Sequence, residues 1–322
     1  MSREKDGGIM IEVKNLSKYY GDFKAVDKLN FRIGEGEIVG FLGPNGAGKS
    51  TTMNMLTGYL AASEGQILID NKDIMEDAKT ARKAIGYLPE IPPLYPDMTV
   101  MEYLSFIYEL KGAKQPRKEH LQEICKLAGI EEVRGRLIGN LSKGYRQRVG
   151  IAYALVGDPP ILILDEPTAG LDPKQIAEIR ELVVHLGKKH TVMLSTHILS
   201  EVQAVCRHII VISAGKIAAD GNPDTIAAQL CKERGVLVRI EGPRGEVVTA
   251  LRNLSGAGKV KCRQTEERNV YEYTVLQEGD QDMPRSIFAL CASHSWPLLA
   301  CRSAEGTLEE MFIRLTDTDR GV

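Results

Sequence analysis

Ile38-Val39-Gly40-Phe41-Leu42-Gly43-Pro44-Asn45-Gly46-Ala47-Gly48-Lys49-Ser50-Thr51 reads as a short apolar strand, a glycine-rich turn and the start of a helix that stops at Gly58. A strand this apolar, bounded by turns, suits the interior of a parallel sheet. Gly43 to Thr51 fits the pattern G-x-x-x-x-G-K-[ST]. Each residue type has a physical reason. Glycines let backbone N–H groups converge on phosphate oxygens, and the helix start adds positive potential. Lys49 is a flexible point charge able to reach terminal phosphates, and the Ser50 hydroxyl suits a divalent cation. Gly43, Pro44, Asn45, Gly46, Ala47, Gly48, Lys49, Ser50 and Thr51 are therefore candidate phosphate-binding residues.

The second informative stretch is Ile161-Leu162-Ile163-Leu164-Asp165-Glu166, a buried strand ending in two acids. Open α/β sheets bind ligands beyond the carboxyl ends of their strands. Asp165 is placed to hold a cation beside a phosphate, and Glu166 to orient or deprotonate an attacking water. The two stretches together describe a P-loop nucleotide hydrolase without choosing between ATP and GTP.

Around them the chain alternates strands and helices. Strands are expected at Met10–Lys14, Asp27–Ile33, Thr191–Ser195, Ile209–Ser213 and Ile217–Ala219. Helices are expected at Pro173–Leu186 and Leu199–Cys206. Helical patterning occupies Thr99–Lys111, Lys118–Leu127 and Tyr145–Val156. The fold class is α/β: a mostly parallel sheet with N-terminal antiparallel strands and a helical insertion at about 91–160. Asp220-Gly221-Asn222-Pro223 punctuates the chain. The expected organisation is a nucleotide-binding domain over 10–220, a linker over 221–235 containing a short helix through Leu230, and an accessory domain over 236–322. That last part reads strand, helix, strand, strand, helix, strand, which is a small ferredoxin-like α+β pattern, with a final helix at Leu308–Leu315.

Composition sets outer limits. The 322 residues carry 41 Lys plus Arg against 43 Asp plus Glu, a formal net charge of −2. Such balance gives no footprint for nucleic acid, so no nucleic-acid partner is expected. No stretch approaches the ~18 apolar residues of a membrane span, and the charged, glycine-containing start lacks the apolar core of a signal peptide. Cys125, Cys206, Cys231, Cys262, Cys291 and Cys301 form no CxxC or Cys/His cluster, which reads as reduced thiols without a metal.

Three further strings narrow the class. Leu141-Ser142-Lys143-Gly144-Tyr145 precedes the acidic pair, Ala169-Gly170-Leu171-Asp172 follows it, and Ser195-Thr196-His197 ends the next strand. With the phosphate loop and acids, in this order over about residues 10 to 220, they resemble the ATP-binding cassette (ABC) family. The resemblance implies ATP and Mg²⁺ as cofactors. It makes Leu141–Gly144 the signature motif, Ala169–Asp172 the D-loop and His197 the switch histidine. It also implies that two cassettes pair head to tail, so that Ser142 and Gly144 act across the dimer, with Asp172 of the D-loop a further nucleotide-site residue and His197 on the γ-phosphate. Tyr20 in Ser17-Lys18-Tyr19-Tyr20-Gly21 resembles the adenine-stacking aromatic, with Tyr19 the competing residue. The other histidines, His120, His185, His190, His208 and His294, read as surface residues.

Two positions depart from the family's pattern. Glu90 stands where Gln is usual, still offering oxygens to Mg²⁺ but adding negative charge. The signature reads Leu-Ser-Lys-Gly-Tyr rather than Leu-Ser-Gly-Gly-Gln. The acidic strand end, the Glu90 segment, an appended C-terminal domain and the ending Thr307-Leu308-Glu309-Glu310-Met311-Phe312 are similar to exporter-type ATPase subunits, such as drug-resistance and gliding-motility subunits. That branch implies an integral membrane permease as partner, pairing with itself or a second ATPase subunit, and a cytoplasmic position on the inner face of the membrane. Ile91–Tyr95 and the stripe over Met98–Tyr108 suit either a permease groove or packing within the insertion. The alternative class is a non-transport cassette ATPase, either acting on ribosomes or DNA or serving as a regulatory module that gates a partner; the insertion carries no coiled-coil heptads and the chain a single cassette.

Overall fold

The computed structural model describes residues 8–303 other than 224, 227–234, 266, 268, 278 and 280. Most of the expected helix before Gly235, and the one at Leu308–Leu315, lie outside them. The chain divides after Pro223 into two compact units.

The first unit contains two sheets. β1 (Ile9–Tyr20) and β2 (Phe23–Gly34) form a long antiparallel hairpin, extended by β4 (Glu64–Ile69) and β5 (Lys72–Asp73) in the order β2-β1-β4-β5. The second sheet runs β10-β9-β3-β8-β7-β6, from β3 (Ile38–Leu42), β6 (Ile85–Leu88), β7 (Ile161–Asp165), β8 (Thr191–Thr196), β9 (His208–Ser213) and β10 (Lys216–Gly221). Its four inner pairings from β9 to β6 are parallel, and β10 joins as an antiparallel edge across Ala214-Gly215. Val13, Leu16, Phe31 and Ile33 of the first sheet share one buried cluster with Phe41, Ile163, Met193 and Ile210 of the second. Each such side chain contributes roughly 1.5–3 kcal/mol on burial. α1 (Lys49–Leu56) adds Met53, Met55 and Leu56 to that cluster.

The helical part comprises α2 (Ala78–Lys83), α3 (Val100–Lys111), α4 (Arg117–Leu127) and α5 (Lys143–Leu155); α6 (Pro173–Leu186) and α7 (Leu199–Gln203) complete the unit. Thr99 starts α3 with a capping box, its hydroxyl accepting from the Glu102 N–H while Glu102 accepts from the Thr99 N–H. α5 begins two residues before the expected Tyr145, because the Ser142 hydroxyl caps it by accepting from the Tyr145 N–H. β1 extends well past the expected Lys14. Its register shifts after Val13 and again after Leu16, which breaks the period-2 pattern while pairing continues.

The second unit is β11 (Gly235–Glu241), α8 (Arg244–Arg252), β12 (Ala257–Gln264), β13 (Val270–Gln277), α9 (Met283–Ser293) and β14 (Leu298–Ser303). Its sheet is fully antiparallel in the order β12-β13-β11-β14, over which Val247, Leu251, Ile287 and Cys291 of the helices bury their apolar faces. This is the ferredoxin-like arrangement.

Two histidines expected at the surface are buried instead. His120 Nε2 accepts from the Gly157 N–H at 3.0 Å, and His190 Nδ1 lies 2.8 Å from the Pro159 carbonyl. Each ring satisfies a backbone group of the loop leading into β7, which makes burial tolerable. His208 is partly buried, its Nε2 2.6 Å from Asp220 Oδ1 and its Nδ1 3.3 Å from Glu37 Oε2. The hydrogen bond to Asp220, helped by Glu37, raises the ring's pKa despite burial. A raised folded-state pKa stabilises fully below the unfolded value near 6.5 and stops doing so as pH rises through the raised value. His208→Gln is therefore expected to cost about 0.5–1 kcal/mol at pH 6 and almost nothing at pH 9. Urea titrations at the two pH values check this; an equal loss at both would mean the charged ring contributes nothing.

Candidate functional site

One rim of the parallel sheet gathers the candidate side chains. Leu42 lies opposite Thr196, and Asp165 opposite Ser195, so β3, β8 and β7 end side by side. β6 ends beside β7, with Leu88 opposite Leu164, and Glu90 follows two residues later. The phosphate loop, His197, the two acids and Glu90 thus leave the sheet at neighbouring strand ends, as parallel α/β sheets require of a ligand site.

The loop needs its glycines. Gly48 has φ +104, and a Cβ there would lie 2.7 Å from the Ala25 carbonyl oxygen. At Gly43 a Cβ would lie 2.5 Å from the Ile212 carbonyl oxygen. Lys49 is 6% exposed and folds back over the loop, donating to the Gly43 carbonyl at 2.7 Å and the Pro44 carbonyl at 3.3 Å. Its Nζ also stands 3.5 Å from Glu166 Oε1.

Glu166 adopts φ +47, a left-handed conformation that costs a non-glycine residue of order 1–3 kcal/mol. Its N–H donates to Ser195 Oγ at 3.1 Å and to the Ser195 carbonyl at 3.2 Å. The turn aims its carboxylate back over the loop, where both oxygens lie 3.1 Å from His197 Nδ1. The same Ser195 hydroxyl donates to Asp165 Oδ1. Burial, and to a lesser degree the neighbouring Glu166 and Glu90 carboxylates, push the Asp165 carboxyl above its ordinary range. Three acids facing one lysine leave a local excess of negative charge, which a cation would offset.

A cavity of about 410 Å³ opens between these groups. Of the sequence candidates, Tyr20, Pro44, Asn45, Gly46, Gly48, Lys49, Ser50, Thr51, Glu90, Glu166 and His197 line it. Gly43, Ala47 and Asp165 do not; the Gly43 carbonyl accepts from Lys49, Ala47 is buried, and Asp165 is buried with its carboxylate accepting from the Ser195 hydroxyl. The two tyrosines part company here. Tyr20 is 51% exposed and faces the cavity, whereas Tyr19 turns its hydroxyl to Glu64 Oε2 at 3.0 Å. Ser142, Gly144 and Asp172 stand apart from this cavity and line a separate one of about 320 Å³ with Tyr145 and Gln175. Asp172 there caps α6 by accepting from the Gln175 N–H, and Gly144 admits the Gln175 side chain, which a Cβ would meet at 2.8 Å.

Residues absent from the sequence reading also take part. Phe23, 65% exposed, pairs with Tyr20 across the two-residue turn and lines the same cavity, as do Ala25 and, from the D-loop string, Ala169. An aromatic directly after a Tyr-Gly-Asp turn was the available signal for Phe23. Glu201 is buried and accepts from the hydroxyls of Thr168 at 2.7 Å and Thr196 at 2.9 Å, joining the segment after Glu166 to the one before His197. Nothing in its surface-helix spelling marked it. Among the described residues, no three His, Cys, Asp or Glu side chains gather as a self-sufficient metal site.

Residues 26–169 match the family model described as ABC transporter. The chain is 40% identical over 210 residues to the bacitracin transport ATP-binding protein BcrA of Bacillus licheniformis, covering 65% of this chain and 68% of that one. It is 30% identical over 309 residues to the linearmycin resistance ATP-binding protein LnrL of Bacillus subtilis, covering 95% and 98%. The chain belongs to the ABC transporter ATP-binding family. This ABC subunit is also similar to the dimeric, post-hydrolysis structure of the cassette MJ0796 bound to ADP and Pi, with a TM-score of 0.60 and 31% identity over 66% of this chain and 98% of that one. It is an ATP-binding and ATP-hydrolysing transporter subunit on a P-loop α/β fold.

Because Glu201 ties two loops without touching the cavity, Glu201→Ala is expected to lower kcat about tenfold, roughly 1.4 kcal/mol in the barrier, while ATP affinity stays within about twofold. Steady-state kinetics beside equilibrium nucleotide binding separates these. A variant that loses affinity and keeps kcat would show that Glu201 supports binding instead.

Proposed function

We propose that this ABC subunit powers an exporter, with two cassettes closing head to tail around ATP and moving a separate membrane permease. The observation that carries the reading is the division of the candidate residues into two cavities. The phosphate loop, Glu166 and His197 form one half of a site, and Ser142, Gly144 and Asp172 the other, in separate cavities of the same unit. A second cassette, a copy of this chain or another ATPase subunit, brings its signature half to this chain's phosphate half. The Ser142 hydroxyl and the N–H groups opening α5 suit a γ-phosphate for the reason the phosphate loop does. The export direction rests on the relatives named for bacitracin transport and linearmycin resistance.

In this reading Lys49 holds the terminal phosphates and Tyr20 stacks on the adenine, with Phe23 beside it. Glu166 accepts the proton of the attacking water, and His197, hydrogen-bonded to it, positions water and γ-phosphate together. Ser50, Asp165 and Glu90 are oxygen donors of the kind Mg²⁺ takes alongside nucleotide phosphates, and the excess of acids over Lys49 suits its charge. Bound there, Mg²⁺ supplies charge neutralisation on the phosphates.

No helix among the described residues is long and apolar enough to cross a membrane. In this reading the permease is a separate chain, in keeping with the relatives named as ATP-binding proteins, and this subunit sits peripherally on the inner face. Half of the stripe in the insertion packs inward through Val100, Tyr103, Leu104 and Ile107. The other half stays out: Ile91 is 83% exposed, and the exposed Tyr95 and Phe106 rings meet edge to face with centroids 5.8 Å apart. That pair with Ile91 is the permease contact. The second unit is an accessory domain for regulation or pairing.

Glu166→Gln is expected to retain MgATP binding and lose turnover by about 10²–10⁴-fold. Wild-type turnover in this variant would remove Glu166 from the base role. The transport reading is tested by purifying the tagged subunit from detergent-solubilised membranes. A multi-span protein is expected in stoichiometric amount with the wild type and not with Ile91→Asp/Phe106→Asp. Recovery with ribosomes or DNA instead would overturn the exporter reading and leave the ATP site standing.

A further inference from the structure

On the side of the first unit away from the strand ends that carry the phosphate loop, a cleft of about 760 Å³ opens between α2 and the C-terminal end of α3. Its charged lining is entirely cationic: Lys79, Arg82 and Lys83 on α2, and Lys111 and Lys114 across from them. Residues 79, 82 and 83 share one helix face, where like charges at this spacing repel by about 0.2–0.5 kcal/mol per pair. Lys111 is committed, its ammonium donating to the carbonyls of Tyr153 at 2.8 Å, Ala154 at 3.3 Å and Val156 at 3.1 Å. The other four are exposed, and among the described residues none stands in an ion pair. The nearby acids face elsewhere. Asp77 accepts from the Thr80 N–H, and Asp158 stands 3.9 Å from His190 Nε2.

The cleft is also pre-formed. Its back wall is the loop into β7, held by the Gln115 amide donating to the Gly157 carbonyl at 2.9 Å, by His120 on the Gly157 N–H and by Lys111. Ile85, Leu110 and Val156 give it an apolar floor, with Leu110 70% exposed. A volume of this size is within the usual range for small-molecule sites and well above that of a single phosphate. Cations on two facing walls call for more than one anionic group, and lysine is a point charge suited to phosphate oxygens.

We propose that this cleft is a second anion site, distinct from the ATP site, that takes an oligophosphate with Lys79, Arg82, Lys83 and Lys114 as its ligands. Either a soluble phosphorylated metabolite or a clustered lipid headgroup supplies that chemistry. The full chain, saturated with MgADP to fill the phosphate loop, is titrated with sodium tripolyphosphate by calorimetry. One further equivalent of binding is expected, weakening with salt, and at least tenfold weaker in Lys79→Gln/Arg82→Gln/Lys83→Gln/Lys114→Gln. All four substitutions are on exposed side chains, and basal ATPase activity should be unchanged in the variant. A second arm uses vesicles of phosphatidylcholine with one-fifth phosphatidylglycerol. Retention of wild type but not variant, displaced by tripolyphosphate, identifies a headgroup; tripolyphosphate binding without retention identifies a soluble ligand. Absence of tripolyphosphate binding, or equal binding by the variant, overturns the proposal.

Discussion

The Ser195 hydroxyl is the point at which sheet register becomes chemistry. It donates to Asp165 and accepts from the Glu166 N–H, so one side chain on β8 sets both acids at the end of β7. It is in place because Asp165 lies opposite Ser195 in the parallel ladder. A slip of one residue would turn every side chain of β7 to the other face and dissolve the pair. The left-handed backbone of Glu166 is held in part by the same bond. The hydroxyl and carbonyl of Ser195 together hold the Glu166 N–H and so support a strained conformation that directs its carboxylate onto Lys49 and His197.

That dependence explains which parts of the fold were legible in the residues alone. Ile38–Leu42 and Ile161–Asp165 are buried on both faces, so their spelling is continuously apolar and their ends are marked by glycine or by acid. Pro173–Leu186 is bounded by its cap, Asp172, and by Gly187. The stretches that escaped notice lack such marks. β4 begins with three exposed residues, one of them Gly65 at φ +90, and β6 has only four residues. Both are strands because of what they pair with, and pairing is not written locally.

The candidate site divides along the same line. Residues that act through type and spacing, such as Lys49, Ser50 and the acid pair, were readable. Ser195, Thr168 and Glu201 act through contacts made by chain segments far apart in sequence, and common residue types in ordinary positions carried no sign of it. His120 and His190 illustrate the converse. Polar spelling suggested solvent, but each ring found a backbone group in the loop before β7 that needed a partner.

That loop bears on how the unit works as a machine. It is the short connection from α5, which starts at the signature residues, to β7, which ends at Asp165 and Glu166. Lys111, Gln115, His120 and His190 all hold it, through carbonyls and an N–H that neither α5 nor β7 satisfies. A displacement of α5 is therefore passed to β7 through several fixed bonds rather than absorbed in a slack linker. Packed elements move as blocks because their cores do not deform continuously. The half-site at one end of α5 and the acids at the far end of β7 are thus two ends of one rigid path, which under the proposed function lets closure across a dimer reach the carboxylate assigned to the attacking water.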